Sequence, residues 1–417
     1  MLPTLLAALL LAVPQESQSA AAAAPQADAS KPVVTEKAVR AGYDAAIGYL
    51  IASQNPDGSW GSPGPESEQE TIFSIEAFYS WRLAAQGIAM RALAGADRSR
   101  ADVRQARDRG LAFLCDARLP VRDSDWDIDL VWAGIYGLDA CVALLEDAEF
   151  AGEPWAPWLR ARGSEFLDLL LAYQSVGGGF GYYDFEHLGP KPQWSTSFAT
   201  AAVLPALQNA SRVLQREVPA GPVAEAQRLI ERCALPNGAF AYDLQPLMGV
   251  RRLEYINQIQ GSLGRIQVCH QALRKAGNPR YDDEVLRRGL RWFVEEHAVL
   301  EHVRTRPIPH EGRYQNAGYF YFFGHYYAAE VIRLLPRAER LGWFEAITPF
   351  LLATQWKDGS TSDYLRSPYI VTACTGFLSQ FLRAHLDEIE AAAATAPQPA
   401  PAGATTESSE DSEDENE

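Results

Sequence analysis

Arg109-Gly110-Leu111-Ala112-Phe113-Leu114 and Arg288-Gly289-Leu290-Arg291-Trp292-Phe293 repeat one pattern in two distant parts of the chain. Both close a helical stretch on an aromatic or aliphatic pair, and the same ending recurs at Tyr49-Leu50, Leu169-Leu170, Leu229-Ile230 and Phe350-Leu351. The six endings fall 56 to 64 residues apart. A period of that length marks a stack of supersecondary units, none of which can bury its own apolar face alone. The helices carrying these endings are amphipathic: Val39, Tyr43, Ile47 and Leu50 lie on one stripe, as do Val285, Gly289, Trp292 and Phe293.

Each is followed by a second stretch that is apolar or small nearly all round: residues 129–145, 195–207, 318–335 and 368–382. A helix without a polar face must be enclosed by neighbours. The second helices therefore form an inner ring and the amphipathic ones an outer ring, with six pairs closing on themselves. The expectation is an all-α fold, an α6/α6 toroid over residues 37–387.

Composition agrees with a large core. Of 417 residues, 47% are hydrophobic and 22% charged, as in ordinary soluble globular proteins. The net charge of −16 is partly the work of residues 401–417, which hold seven acidic side chains and no basic one. No cluster of Lys and Arg offers a nucleic-acid footprint. Residues 1–24, with an apolar stretch from Leu5 to Val13 followed by small residues, read as a signal peptide, although their amino end carries no charge. No later stretch supplies the ~18 apolar residues of a membrane span. The chain is expected to be exported, to the periplasm or the exterior, without a transmembrane anchor. Residues 25–36 read as a disordered linker and 388–417 as a disordered, solubilising acidic tail. Five cysteines stand singly, as buried apolar residues do, and only a pair such as Cys115 and Cys141 suggests a bridge.

Between the helices stands a recurring motif. Gln54-Asn55-Pro56-Asp57-Gly58-Ser59-Trp60 and Gln174-Ser175-Val176-Gly177-Gly178-Gly179-Phe180 share the form Q-x-x-x-G-x-aromatic; residues 234–240 (ALPNGAF) and 355–361 (QWKDGST) are degraded copies. Glycine permits a tight left-handed turn, glutamine bonds exposed helix-end groups, and the aromatic wedges between helices. Motif, order and period together resemble the QW repeats of terpene cyclases such as squalene-hopene cyclase, and the related repeats of protein prenyltransferase beta subunits. That resemblance implies the toroid fold and a central cavity for an apolar, isoprenoid-like ligand. It also implies a proton donor in an Asp-x-Asp-Asp motif at an inner-helix start. The corresponding residues are Asp127-Ile128-Asp129-Leu130, with Asp129 in the donor's place, Asp127 as its companion, and Leu130 where the third carboxylate would stand.

The same acidic residues also suit a helix amino end, through capping and dipole effects of roughly 0.3–2 kcal/mol. A prenyltransferase zinc site is unsupported: Asp139-Ala140-Cys141 lies deep in its helix, and the adjacent Cys269 and His270 diverge by about 100°. No metal and no cofactor is expected. Trp132, Tyr136, Trp194, Tyr319, His325 and Tyr326 are candidates to line the cavity, His325 also suiting a hydrogen-bonded core histidine. Two other functions remain open. One is a carbohydrate-active toroid enzyme with a glycan ligand, which needs two opposed carboxylates, Asp127 or Asp129 with Glu311 or Asp363. The other is a non-catalytic interaction scaffold.

Overall fold

The computed structural model describes residues 34–395, apart from 63, 67–69, 72, 125, 153, 183–191, 193, 245–254 and 311 and the side chains of 149 and 151. Six outer helices, α1 (Glu36–Ala52), α3 (Ala101–Asp116), α6 (Ala156–Tyr173), α8 (Ala220–Cys233), α10 (Asp283–Glu295) and α13 (Arg337–Leu352), alternate with six inner ones. The inner helices are α2 (Ile75–Ala94), α4 (Val131–Glu146), α7 (Ser197–Leu214), α9 (Ile259–Lys275), α12 (Phe320–Ile332) and α14 (Pro368–Thr395). Two short helices, α5 (Ala148–Ala151) and α11 (His297–Arg304), sit outside this alternation. Each inner helix packs on the next, α2 on α4, then α7, α9, α12 and α14, and α14 returns to α2. The expected all-α toroid is present.

Burial follows the two sequence patterns. On α1 only a stripe is buried, including Val39, Tyr43, Ile47 and Leu50, whereas α12 is buried on every side from Phe320 to Ala329. Side-chain caps start several helices where β-region backbone meets the first turn: Thr35, Ser74 and Asp282 accept from the backbone N–H three residues on, at 3.0–3.2 Å. Inner helices approach closely where glycine replaces a side chain. A Cβ on Gly87 would lie 2.3 Å from the carbonyl oxygen of Tyr136.

The recurring motif acts as a staple. In three copies the glutamine amide donates to the carbonyl of its own motif glycine and to a carbonyl on the next outer helix: Gln54 to Gly58 and Ala106, Gln174 to Gly178 and Pro222, Gln355 to Gly359 and Gly42. The last of these ties the sixth repeat to the first. The motif glycines 58, 178, 238 and 359 share φ between +87° and +89°, which an L side chain rarely adopts. Trp60 is fully buried and donates its indole N–H to the last-turn carbonyl of Leu50 at 2.7 Å. Gln174→Ala strips both bonds and leaves two carbonyls unmatched, so it is expected to cost about 2 kcal/mol in urea unfolding.

One boundary moves. The helix α14 continues to Thr395, so residues 388–395, assigned from sequence to the acidic tail, are helical, fixed in part by Arg340 to Glu388 and Arg383 to Glu390. Residues 1–33 and 396–417, with the expected signal peptide and most of the linker and tail, lie outside the described residues. All five cysteines are free thiols, Cys115 and Cys141 among them. No helix among the described residues is long and apolar enough to cross a membrane.

Candidate active site

The inner helices begin at one end of the ring, and the loops entering them carry the unusual chemistry. The loop into α4 delivers Asp129 with φ +65°, a left-handed conformation that a non-glycine residue holds only when its surroundings fix it. They do: its N–H donates to the Tyr182 carbonyl at 2.7 Å, and its carbonyl accepts from the Ser80 hydroxyl at 2.9 Å and the Trp132 N–H at 3.1 Å. The carboxyl accepts from the Trp132 indole at 3.1 Å, with Trp81 as a second donor. Burial pushes this acid up to about 7 against those two hydrogen bonds. Near neutral pH it holds a proton it can deliver.

Asp127 behaves differently. Its carboxylate accepts the N–H groups of Asp123 at 2.8 Å and Ser124 at 2.7 Å. Burial raises its pKa, but those bonds and others from the Ser74 and Ser124 hydroxyls outweigh burial and hold it below the usual range. Its hydrogen bonds fix the loop that presents Asp129, and the lowered pKa suits a companion carboxylate rather than a proton donor.

Around Asp129 runs an aromatic wall. Trp132 stacks on Tyr182 (ring centroids 6.1 Å apart) and on Tyr136 (6.0 Å), Tyr182 meets Trp194 edge-on at 5.0 Å, and Trp81 stacks on Tyr369 at 5.1 Å. A row of phenols leads across it. The Tyr182 hydroxyl bonds that of Tyr242, Tyr242 bonds Tyr319 at 2.9 Å, and Tyr319 bonds His310 Nε2 at 2.8 Å. His310 Nδ1 lies 2.8 Å from the Gln315 carbonyl, an acceptor only, so Nδ1 carries the hydrogen and Nε2 accepts. Burial keeps this imidazole below its ordinary pKa, consistent with an uncharged acceptor. The phenols therefore donate in one direction, Tyr182 to Tyr242 to Tyr319 to His310. Tyr242→Phe removes the middle link and the hydrogen bonds to Tyr182 and Tyr319, and is expected to cost about 1–2 kcal/mol in urea unfolding.

Asp363 enters at the same end, in the loop before α14. It accepts the Leu365 N–H at 3.2 Å and contacts the Cys374 thiol, and burial pushes it up to about 7. Relative to the staple glycine, Asp363 holds the place of Tyr182 and Tyr242, two positions after the motif's last residue. Glu311, the other candidate partner, lies outside the described residues.

Behind this mouth, among the described residues, aromatic side chains fill the bore. Tyr136, Phe198, Phe323 and Phe377 are each at most 7% exposed, with Tyr136 against Phe377 at 5.6 Å and Phe198 against Phe323 at 6.0 Å. Of the candidate cavity residues, Trp132, Trp194 and Tyr319 meet at the mouth and Tyr136 plugs the bore. Two lie elsewhere. His325 faces outward, packed on Phe293 at 4.9 Å, with Nδ1 donating to the Tyr321 carbonyl at 2.7 Å and Nε2 3.1 Å from that of His297. Burial drives it down to about 4, a neutral core histidine rather than a cavity residue. Tyr326 lies two helical turns beyond Tyr319 and bonds Arg91, towards the other end of the ring.

Sequence reasoning missed Trp81, Tyr182, Tyr242 and His310. For the two tyrosines a signal existed, since Phe180-Gly181-Tyr182 and Phe240-Ala241-Tyr242 extend two staple copies in the same way. Among the described residues no three His, Cys, Asp or Glu side chains gather as metal ligands do. Asp139 pairs with Arg91, and the Cys269 thiol is directed to the Ser197 carbonyl.

The fold is that of the α/α-toroid enzymes. A "possible member of GH105 family" from Klebsiella pneumoniae subsp. pneumoniae superposes with a TM-score of 0.51 at 10% identity, covering 89% of this chain and 100% of that one. The GH76A alpha-1,6-mannanase from Salegentibacter superposes with 0.50 at 12% identity, over 84% and 99%. The type II terpene cyclase MstE from Scytonema gives 0.46 at 14% identity, over 84% and 99%. No family model and no curated protein sequence matches this chain. Identities this low speak for the toroid architecture alone.

Proposed function

We propose that the inner-helix mouth of this toroid is the active site of a carbohydrate-active enzyme, with Asp129 as its general acid. The observation that carries this reading is a buried, indole-bonded carboxyl held in a left-handed backbone, its pKa raised by burial, at a mouth whose bore is filled behind it by aromatic side chains. A closed bore leaves no deep apolar channel for an extended polyene. A shallow mouth walled by Trp132, Trp194, Tyr182 and Tyr242 suits sugar rings, whose apolar faces stack on aromatics while hydroxyls bond phenols and carboxyls.

In hydrolysis the Asp129 proton passes to the glycosidic oxygen as its bond to the anomeric carbon breaks. A water molecule then bonds that carbon and yields its proton to a carboxylate, a part that Asp363 can take only in its ionised form, which burial disfavours below about pH 7. Export belongs to the same proposal: the apolar Leu5–Val13 stretch would place the enzyme where glycans are met outside the cell, and cell fractionation tests it.

The second reading is acid-initiated cyclisation of an isoprenoid by the same Asp129. The Asp127-x-Asp129 register at the start of α4 and the indole-only partners of the carboxyl favour it. Incubating the full chain with a panel of bacterial and plant polysaccharides, and separately with linear polyprenyl substrates, decides between them by mass spectrometry. New reducing or unsaturated ends support the glycan reading. Cyclised, isomeric prenyl products overturn it.

A further inference from the structure

Towards the other end of the ring, α2, α4, α7, α9 and α12 line a cavity of about 280 Å³. Arg91 of α2, Asp139 of α4, Gln271 and Lys275 of α9, and Tyr326 and Glu330 of α12 face it. Its charges are matched within the protein: Arg91 Nη1 lies 2.6 Å from Asp139, and Lys275 Nζ lies 2.9 Å from Glu330. An ion entering would meet as much repulsion as attraction, so electrostatics selects a neutral guest.

One group is left over. Gln271 lines the cavity and is 4% exposed, and its side-chain oxygen is buried without a hydrogen-bond partner. A buried acceptor without a donor is costly, so a guest whose hydroxyl or N–H draws the Gln271 amide round to the cavity gains by satisfying it. The other walls alternate donors (Arg91, Lys275), acceptors (Asp139, Glu330) and a phenol that does both. The volume lies just under the ~300 Å³ lower end of small-molecule pockets.

We propose that this cavity is a second ligand site, for a neutral polyhydroxylated molecule of monosaccharide size. It stands apart from the chemistry assigned to Asp129, and neither depends on the other. The test is calorimetric titration of the full chain with D-glucose, D-mannose and myo-inositol, together with acetate and tetramethylammonium as charged probes. At least one neutral probe is expected to bind saturably. Gln271→Leu is expected to weaken that binding about tenfold, Asn209→Ala at the cavity edge to weaken it as well, and Asp129→Asn to leave it unchanged. Gln271→Leu without ligand is expected to be as stable as the parent, because an unmatched polar atom has been removed. The proposal is overturned if no neutral probe binds, if a charged probe binds more tightly, if binding is lost in Asp129→Asn but kept in Gln271→Leu, or if Gln271→Leu unfolds markedly more easily.

Discussion

Asp129→Asn is expected to lower turnover about 10²–10⁴-fold, the usual contribution of a positioned general acid, while leaving the ring folded. Asparagine keeps the shape and the acceptor for the Trp132 indole but has no proton to give. The parent's activity should fall as pH rises through about 7, where Asp129 loses its proton, and the variant's residual activity should lack that limb. Stability provides an independent readout. The folded pKa of about 7 lies above the unfolded value of roughly 3.9, so between those pH values the native state holds a proton that the unfolded chain has released. This contribution to stability is complete below pH ~4 and is lost as pH climbs to about 7. The substituted amide cannot ionise, so the variant's stability relative to the parent should rise across that window and level off above it. A flat difference in urea midpoints from pH 4 to 8 would show that Asp129 is ionised in the fold and would remove it as the acid.

The second large effect is expected at ring closure. Gly359 has φ +88°, and a Cβ there would lie 2.1 Å from the Ala45 carbonyl oxygen on α1. Gly359→Ala combines the left-handed penalty of roughly 1–2 kcal/mol with backbone displacement at the seam, for a total of about 2–5 kcal/mol. The seam also carries the Gln355 bonds to Gly42 and Gly359, at 2.8 and 2.9 Å, so hydrogen exchange should accelerate in α1 and α13 together. Exchange confined to the 355–361 turn would show that the staple is local and does not close the ring.

The toroid was legible because six units solve one packing problem and therefore repeat one wording: a striped helix, a turn built on glycine, and an apolar helix. Glycines 58, 178, 238 and 359 occupy the same turn with nearly the same φ, even where the sixth copy has lost its aromatic to Thr361. The site was legible only where it is local. Asp129 could be found because a helix start is a sequence feature. Trp81, Tyr182, Tyr242 and His310 belong to different repeats, and only closure of the ring brings them to one mouth.

Errors in the site follow from geometry that no spacing encodes. Asp127 and Asp129 are alike in sequence, yet hydrogen bonds from Asp123 and Ser124 lower the pKa of one and burial raises that of the other. Consecutive aromatics on α12 diverge by about 100° and climb about 1.5 Å each. Tyr319, His325 and Tyr326 therefore reach the mouth, the outer layer and the far end respectively. The two repeats without a recognisable staple, the second and the fifth, are the ones whose outer-to-inner connections deliver Asp129 and His310.

The closed bore has a kinetic consequence. Among the described residues Tyr136, Phe198, Phe323 and Phe377 fill the bore, so on the proposed reading a product formed beside Asp129 would depart by the opening through which its substrate arrived. Departing product and arriving substrate then compete for one doorway. On that reading, exchange of one for the other is a separate step that a ring open at both ends would not impose.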